Sequence, residues 1–339
     1  MLVGTTYIQS VLSISERSVP DMSDGILVTG GAGFIGHHLV KKLLEYPKGN
    51  VAVIDNMSNA NPNFKVEEFG DVAFYKADIR DKEAVANIIK REKIDACIHL
   101  AAKISVPDSI LDPATTVDVN VNGTLSVISA CAENDVDRFI FASSAAVYGE
   151  SRTLPIVENQ ELNPLSPYGG SKVAGEWLVN SYYDGGKIPY AVSLRFFNVY
   201  GRGQSPEYAG VITRFAERLS KGLPPIIYGR GDQTRDFVAV DDVVSAIMSA
   251  LDADVSGMFN IGTGIRTSIN ELARRMILLY GLDVSPEHQD GVDGDIRHSY
   301  GDISRAKKML KFFPTRELYQ TLQTMLPSAK SRLSEIEWQ

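Results

Sequence analysis

The sequence predicts an α/β protein, a doubly wound parallel sheet carrying a smaller mixed α/β lobe. Three observations predict it. From residue 26 onward, short apolar runs alternate with segments of helical period, the alternation that builds a parallel sheet through crossover helices. The first run opens into a glycine-rich turn at Gly30, Gly33 and Gly36. The second run, Val51 to Ile54, ends in the carboxylate of Asp55.

In chain order, strands are expected at 26–29, 51–54, 72–75, 96–100, 138–142 and 189–196. Helical patterns lie between them, as at 81–91, 113–134 and 166–183. Ligands of such sheets bind outside the carboxyl ends of the strands, where Asp78-Ile79, Ala101-Ala102, Ser143-Ser144 and Phe197-Asn198 follow the predicted strands. After residue 200 the pattern loosens, with Gly, Pro and Tyr frequent through 201–225. The expected division is a dinucleotide-binding domain over 24–190, rejoined by 236–263, and a substrate lobe from 191–235 and 264–330.

Composition sets outer bounds. With 339 residues, 44% hydrophobic and 22% charged, the chain is long enough for one or two domains with a sizeable core. A net charge of −8 argues against a nucleic-acid or membrane-surface binder, so an anionic ligand must be held by local donors. Cys97 and Cys131 sit in apolar stretches and suit a reducing compartment, so a cytoplasmic protein is expected. No run approaches the ~18 apolar residues of a membrane span. Residues 1–23 lack the basic n-region of a secretory signal. Met22 as an alternative start, or a disordered tail, both remain open for this extension.

The turn has a specific chemistry. Glycines spaced as Gly30, Gly33 and Gly36 permit a tight turn and close approach to a pyrophosphate, whose charge sits on the helix N-terminus. An acid where Asp55 stands accepts hydrogen bonds from the adenosine ribose and repels a 2′-phosphate, which favours NAD over NADP. The sheet is therefore expected to be of the Rossmann type. A plain turn followed by a strand-capping Asp is the alternative.

Tyr168 and Lys172 are four residues apart in a helical stretch, so both can face one bound molecule. A phenol is a poor base at its ordinary pKa of about 10. A cation beside it favours the phenolate, and proton transfer near neutrality becomes efficient. Other candidates read as structural. The five histidines show no metal-ligand spacing and no Cys-His cluster suggests zinc, so no metal is expected. His37 and His38 are adjacent and face different directions, and His99 reads as a satisfied core residue. Gly262-Thr263-Gly264 reads as a structural turn.

These residues resemble a family. Thr29 to Gly36, Asp55 to Ser58, Asp78-Ile79, His99 to Ala102, Asn120 to Thr124, Ser143 to Gly149, Tyr168 to Lys172 and Arg195 to Gly201 occur in the order seen in extended short-chain dehydrogenases/reductases. The likeness spans roughly residues 25–315 and is nearest to nucleotide-sugar 4-epimerases of the UDP-galactose 4-epimerase type. It implies that NAD stays bound while Tyr168 removes the proton of the sugar 4-hydroxyl and hydride leaves carbon 4. The 4-keto sugar turns over, and hydride returns to its other face. Lys172 would hold the nicotinamide ribose and Ser144 would steady the developing carbonyl. Contacts to NAD are implied for Gly30, Gly33, Phe34, Ile35, Gly36, Asp55, Asn56, Ser58, Asp78, Ile79, Leu100, Ala101, Ala102, Asn120, Ser143, Tyr168, Lys172 and Phe197.

Sugar 4,6-dehydratases carry an Asp-Glu pair after the Ser/Thr, whereas this chain has Ala145 and Ala146, whose methyl groups cannot transfer protons. Oxidation and re-reduction at carbon 4 is the chemistry that remains. For a UDP-sugar substrate the resemblance implies contacts from Ser105, Ser144, Tyr168, Asn198, Val211, Ile226, Tyr228, Arg235, Asp295 and Ser299. Tyr228 would lie against the uracil, and the Arg235 guanidinium would clamp the diphosphate. The arginine usual in the family before Gly294-Asp295 is absent; Arg297 or Arg214 is a candidate to replace it, and a diphosphate held by fewer charges is the alternative. Ser299 stands where galactose-restricted members carry a bulky Tyr, so UDP-GlcNAc/UDP-GalNAc is expected to be accepted, alongside UDP-Glc/UDP-Gal. A UDP-uronate 4-epimerase, another nucleotide-sugar dehydrogenase or reductase, and a non-catalytic NAD-binding regulator remain alternatives. The resemblance also implies a homodimer packed through the helices of 113–134 and 166–183.

Overall fold

In the computed structural model, which describes residues 25–45, 49–61, 64–70, 72–204, 210–291 and 296–325, the N-terminal half alternates strand and helix. The order is β1 (Gly25–Thr29), α1 (Phe34–Leu44), β2 (Val51–Asp55), β3 (Ala73–Lys76), α2 (Lys82–Glu92) and β4 (Ile94–His99). Then come α3 (Val106–Leu111), α4 (Pro113–Val117), a π-helical turn (Asp118–Asn122), α5 (Gly123–Glu133), β5 (Arg138–Ser144), α6 (Pro167–Asp184) and β6 (Tyr190–Phe196). The rest of the chain adds β7 (Asn198–Tyr200), α7 (Val211–Ser220), β8 (Ile226–Tyr228), β9 (Thr234–Arg235), β10 (Phe237–Ala239) and α8 (Val240–Asp252). It ends with β11 (Gly257–Ile261), β12 (Thr267–Ser268), α9 (Ile269–Leu279), β13 (Glu287–Gln289), β14 (His298–Ser299), α10 (Ser304–Met309) and α11 (Leu318–Met325).

Seven strands form one sheet in the order β11-β6-β5-β4-β1-β2-β3, and every neighbouring pair runs parallel. Its inner strands β1, β2, β4, β5 and β6 are largely buried on both faces, which explains their continuous apolar runs, whereas the edge strand β3 is only partly covered. One core joins Leu39, Val40, Val243 and Ile247 of α1 and α8 to one face of the sheet. The other packs Val85, Ile88, Val127, Ile128 and Val179 of α2, α5 and α6 on the opposite face. A third core, with Phe215, Ile227, Leu272 and Met276, belongs to the smaller lobe. The expected doubly wound parallel sheet is what the chain forms.

Two details depart from the sequence reading. β6 runs inside the sheet to Phe196, so a boundary between 190 and 191 cuts a strand; the chain leaves the sheet only afterwards. The helix expected over 113–134 is interrupted by the π-helical turn at Asp118–Asn122. Within that turn the buried Asn120 side chain accepts from Lys103 N at 2.7 Å, and donates to Lys103 O and Ser171 Oγ, both at 2.9 Å. These bonds account for the widened turn, since π-bulges often mark a side chain turned to a local task.

Candidate active site

Strand order reverses at β1, whose neighbours are β4 on one side and β2 on the other. The loops after β1 and β4 therefore diverge and leave a crevice at their carboxyl ends. They nevertheless start in contact. Gly30 has φ +73°, and a Cβ there would lie 2.7 Å from Ala101 N, so a side chain is excluded. A Cβ on Gly36 would come within 2.2 Å of Gly30 O, so the turn closes onto the first turn of α1 only without one. α1 begins at Phe34 without a side-chain cap, which leaves its first amides to the crevice.

A cavity of about 340 Å³ occupies this crevice. Gly30, Gly33, Phe34, Ile35 and Gly36 line it from the first turn, and Asp55, Asn56 and Ser58 from the end of β2. Ile79, Leu100, Ala101, Ala102 and Ser143 continue the wall, and Tyr168 and Lys172 close it from α6. The sequence-derived positions thus converge on one site from five strand ends.

Asp55 is buried, and its carboxylate accepts from Ala32 N at 3.0 Å and Met57 N at 2.7 Å. Burial pushes its pKa up, against the two amides. A glycine cradle, open amides at a helix start and a carboxylate at the end of β2 make a donor and acceptor set that fits a dinucleotide.

Three expected cofactor residues do not line the cavity. The Asp78 carboxylate is held by Arg80 in two bonds, at 2.9 and 2.8 Å, and by Asn56 at 3.2 Å, which keeps it well below the usual carboxylate range. Asn120 points instead into the brace on Lys103. Phe197 packs over Gly301 on the far side, whereas Phe196, the last residue of β6, lines the cavity, because successive side chains alternate across a strand. Arg80, Lys103, Ile104, Thr115 and Val119 also line it and were not foreseen. Arg80 and Lys103 directly follow quoted motifs, so the sequence held a signal for those two. Thr115 and Val119 reach the cavity from a separate helix.

At the mouth, the Ser144 side chain at the end of β5 faces Tyr168 and favours its phenolate. The Lys172 ammonium stands 5.9 Å from the centre of the Tyr168 ring and donates to Ala142 O at 2.8 Å. Both are buried. Desolvation raises the Tyr168 pKa, against the Ser144 side chain, and lowers that of Lys172 to about 8. His99, at the end of β4, bonds Thr29 Oγ1 at 2.6 Å and Thr124 Oγ1 at 3.0 Å, as expected of a satisfied core residue.

The expected substrate residues stand on the smaller lobe and beside it. Asn198 N donates to Asp236 O at 2.9 Å, and β9 pairs Arg235 with Ser299 of β14, so these three meet on neighbouring strands. The Arg235 guanidinium donates to Thr234 O at 2.9 Å, and Ser299 is buried. Asp236, fully buried between them, accepts from Thr263 N, Thr263 Oγ1 and Gly264 N at 2.8, 2.6 and 2.9 Å. That explains the Gly262-Thr263-Gly264 turn, which folds around a carboxylate. Ile226 and the half-exposed Tyr228 lie on β8, Val211 starts α7, and Ser105 caps α3 by accepting from Asp108 N at 3.1 Å. Arg297 pairs with Asp232 at 3.8 Å, and Arg214 is exposed on α7. Asp295, with Gly294, lies outside the described residues, as do residues 1–24.

Known proteins share this arrangement. Residues 26–262 match the model of the NAD dependent epimerase/dehydratase family. A UDP-glucose 4-epimerase of Mycolicibacterium smegmatis is 39% identical over 295 residues, covering 85% of this chain and 93% of the relative. The structure of a Thermotoga maritima UDP-glucose 4-epimerase with UDP-glucose superposes with a TM-score of 0.84 at 35% identity, over 92% of this chain and 99% of that one. A UDP-N-acetylglucosamine 4-epimerase from Methanobrevibacter ruminantium M1, in complex with UDP-N-acetylmuramic acid, gives 0.83 at 33% identity over the same shares. With a matched segment running from β1 past β11 and a glycine cradle shaped for the cofactor, the chain belongs to the NAD dependent epimerase/dehydratase family and is an NAD-using enzyme.

Proposed function

We propose that the protein interconverts UDP-hexoses at carbon 4, accepting UDP-GlcNAc/UDP-GalNAc as well as UDP-Glc/UDP-Gal. The observation that carries this is that Tyr168 and Lys172 line the dinucleotide cavity while Ser144 stands beside Tyr168, with Ala145 and Ala146 in the turn after Ser144. Bound NAD supplies the hydride acceptor and donor for carbon 4.

The chain's own residues do the remainder. Tyr168 takes the proton of the 4-hydroxyl and later returns it, and the Ser144 hydroxyl holds the same oxygen as it becomes a carbonyl. Lys172 steadies the phenolate by its charge. No acid or base follows Ser144, so water is not eliminated from the sugar. Asn198 and Arg235 are the donors for the diphosphate, and Tyr228 is the platform for the base.

Substrate breadth rests on Ser299, whose small side chain stands beside Arg235. The relative that is a UDP-N-acetylglucosamine 4-epimerase supports this reading. Incubation with a panel of UDP-hexoses, UDP-N-acetylhexosamines and UDP-uronates, with chromatographic separation, tests it. C4 epimers of the hexoses and N-acetylhexosamines are expected without net NADH. Net NADH would indicate a dehydrogenase, and turnover of uronates alone would move the substrate class.

The assembly we propose is a homodimer. Leu111, Val117, Leu125 and Trp177 are exposed on α3, α4, α5 and α6, apolar side chains that a second copy would cover.

A further inference from the structure

Three successive turns of α6 meet three consecutive residues at the end of β5. Tyr168 faces Ser144, Lys172 donates to Ala142 O at 2.8 Å, and Glu176 accepts from Ser143 Oγ at 2.5 Å. The spacing of four residues places all three side chains on one helix face. The last rung is the most heavily braced. Arg195 of β6 donates to both Glu176 oxygens, at 2.8 and 2.6 Å, and both residues are 1% exposed. Arg195 also donates to Tyr148 OH and Glu158 O, each at 2.8 Å, and Tyr148 in turn donates to Asn260 of β11 at 2.6 Å. Glu176 touches neither the cavity nor a candidate substrate residue. A buried ion pair of this kind is seldom retained for stability, because desolvation offsets its attraction.

We propose that Glu176, braced by Arg195, is a positioning residue that sets the register between α6 and the end of β5, and so aims Tyr168 and Lys172 at the reacting oxygen. This rests on the proposed 4-epimerase chemistry for its consequence, but not for its geometry. The same carboxylate acts on charge. Lys172 faces the Tyr168 phenol and Glu176 on α6, the Phe141 ring and Ala142 O on β5, and a neutral His99 on β4, with Arg195 of β6 behind Glu176. Glu176 is the one group among these whose charge favours the ammonium, against burial.

The test compares Glu176→Gln with the paired Glu176→Gln/Arg195→Gln, which leaves no buried arginine without a counter-charge and so protects folding. In the NAD-bound protein, NMR of labelled lysine, assigned with Lys172→Arg, follows the Lys172 titration. Lys172 is expected to release its proton at lower pH in Glu176→Gln, and to shift the same way but less in the paired variant, which also loses a cation. The alkaline limb of kcat/KM is expected to move with it, kcat to fall at least tenfold and KM to change little. A folded variant whose Lys172 titration and alkaline limb coincide with those of the unaltered protein would overturn the proposal. Absence of turnover in the unaltered protein would count against the epimerase reading instead, while the NMR titration still decides the role of Glu176.

Discussion

Tyr168 of α6 faces the Ser144 side chain of β5 across the junction of helix and sheet, which brings a phenol to a position no other described tyrosine takes in the cavity. Replacing Tyr168 by Phe keeps the ring and its packing but removes the proton acceptor. UDP-sugar turnover is expected to fall by about 10²–10⁴, with NAD binding retained. Single-turnover kinetics and cofactor content check it; full activity would remove Tyr168 from the chemistry.

Asp55 offers its carboxylate at the end of β2 while bonding Ala32 N and Met57 N. In Asp55→Asn the single amide oxygen can accept from only one of those amides, because Oδ2 takes Ala32 N and Oδ1 takes Met57 N, so one bond of the turn goes with the charge. Loss of charge-assisted bonds to a ribose is expected to weaken NAD by about one to two decades in Kd. The preference over NADP should narrow at the same time. Calorimetry with both cofactors reads this, and an unchanged NAD affinity would contradict the assignment.

Ser299 lies buried beside Arg235 in the β14–β9 pair. A tyrosine there fills space that the acetamido group is proposed to use. The ratio of UDP-GlcNAc to UDP-Glc turnover is expected to drop at least tenfold in Ser299→Tyr. Competition assays with both sugars measure it, and a constant ratio would sink the pocket argument.

His99 is held neutral between two threonine hydroxyls, and burial pushes its pKa down to about 3. Its ordinary value in an unfolded chain is about 6.5. The unfolded state therefore binds a proton that the folded state refuses, and the stability this group contributes above pH 6.5 is lost as pH falls towards 3. The loss is on the order of a few kcal/mol. Chemical denaturation of the unaltered protein and His99→Gln should show the difference between them shrinking from pH 7 to pH 4.

Trp177 is 69% exposed on α6, on the helix side facing away from the sheet. A lysine there puts a charge into the proposed dimer surface, where like charges meet across a two-fold axis. Trp177→Lys is expected to shift sedimentation from dimer to monomer. An unaltered protein that sediments as a monomer would withdraw the dimer.

Much of the sheet was legible because its strands are short apolar runs punctuated by turns. All six strands expected in the N-terminal part are present, and Gly30, Asp55, Tyr168 and Lys172 meet where strand order reverses. What escaped reading was set by contacts distant in sequence. Asn120 binds Lys103 and Ser171 instead of lining the cavity, and widens a helix to do so. Phe196 and Phe197 are indistinguishable as letters, but the pleat sends one into the cavity and the other against Gly301.

Glu176 shows the division most clearly. Local spacing alone determines that residues 168, 172 and 176 share a helix face, since that follows from 3.6 residues per turn. The alternation of strand and helix likewise determines the doubly wound sheet, and the glycine turn its dinucleotide crevice. Only the tertiary structure decided that Ser144, Ala142 O and Ser143 would receive those three side chains, and that Arg195 would stand behind the last. Partners 19 to 33 residues apart are chosen by how α6 packs on β5 and β6, and a helical repeat carries no record of the surface it meets.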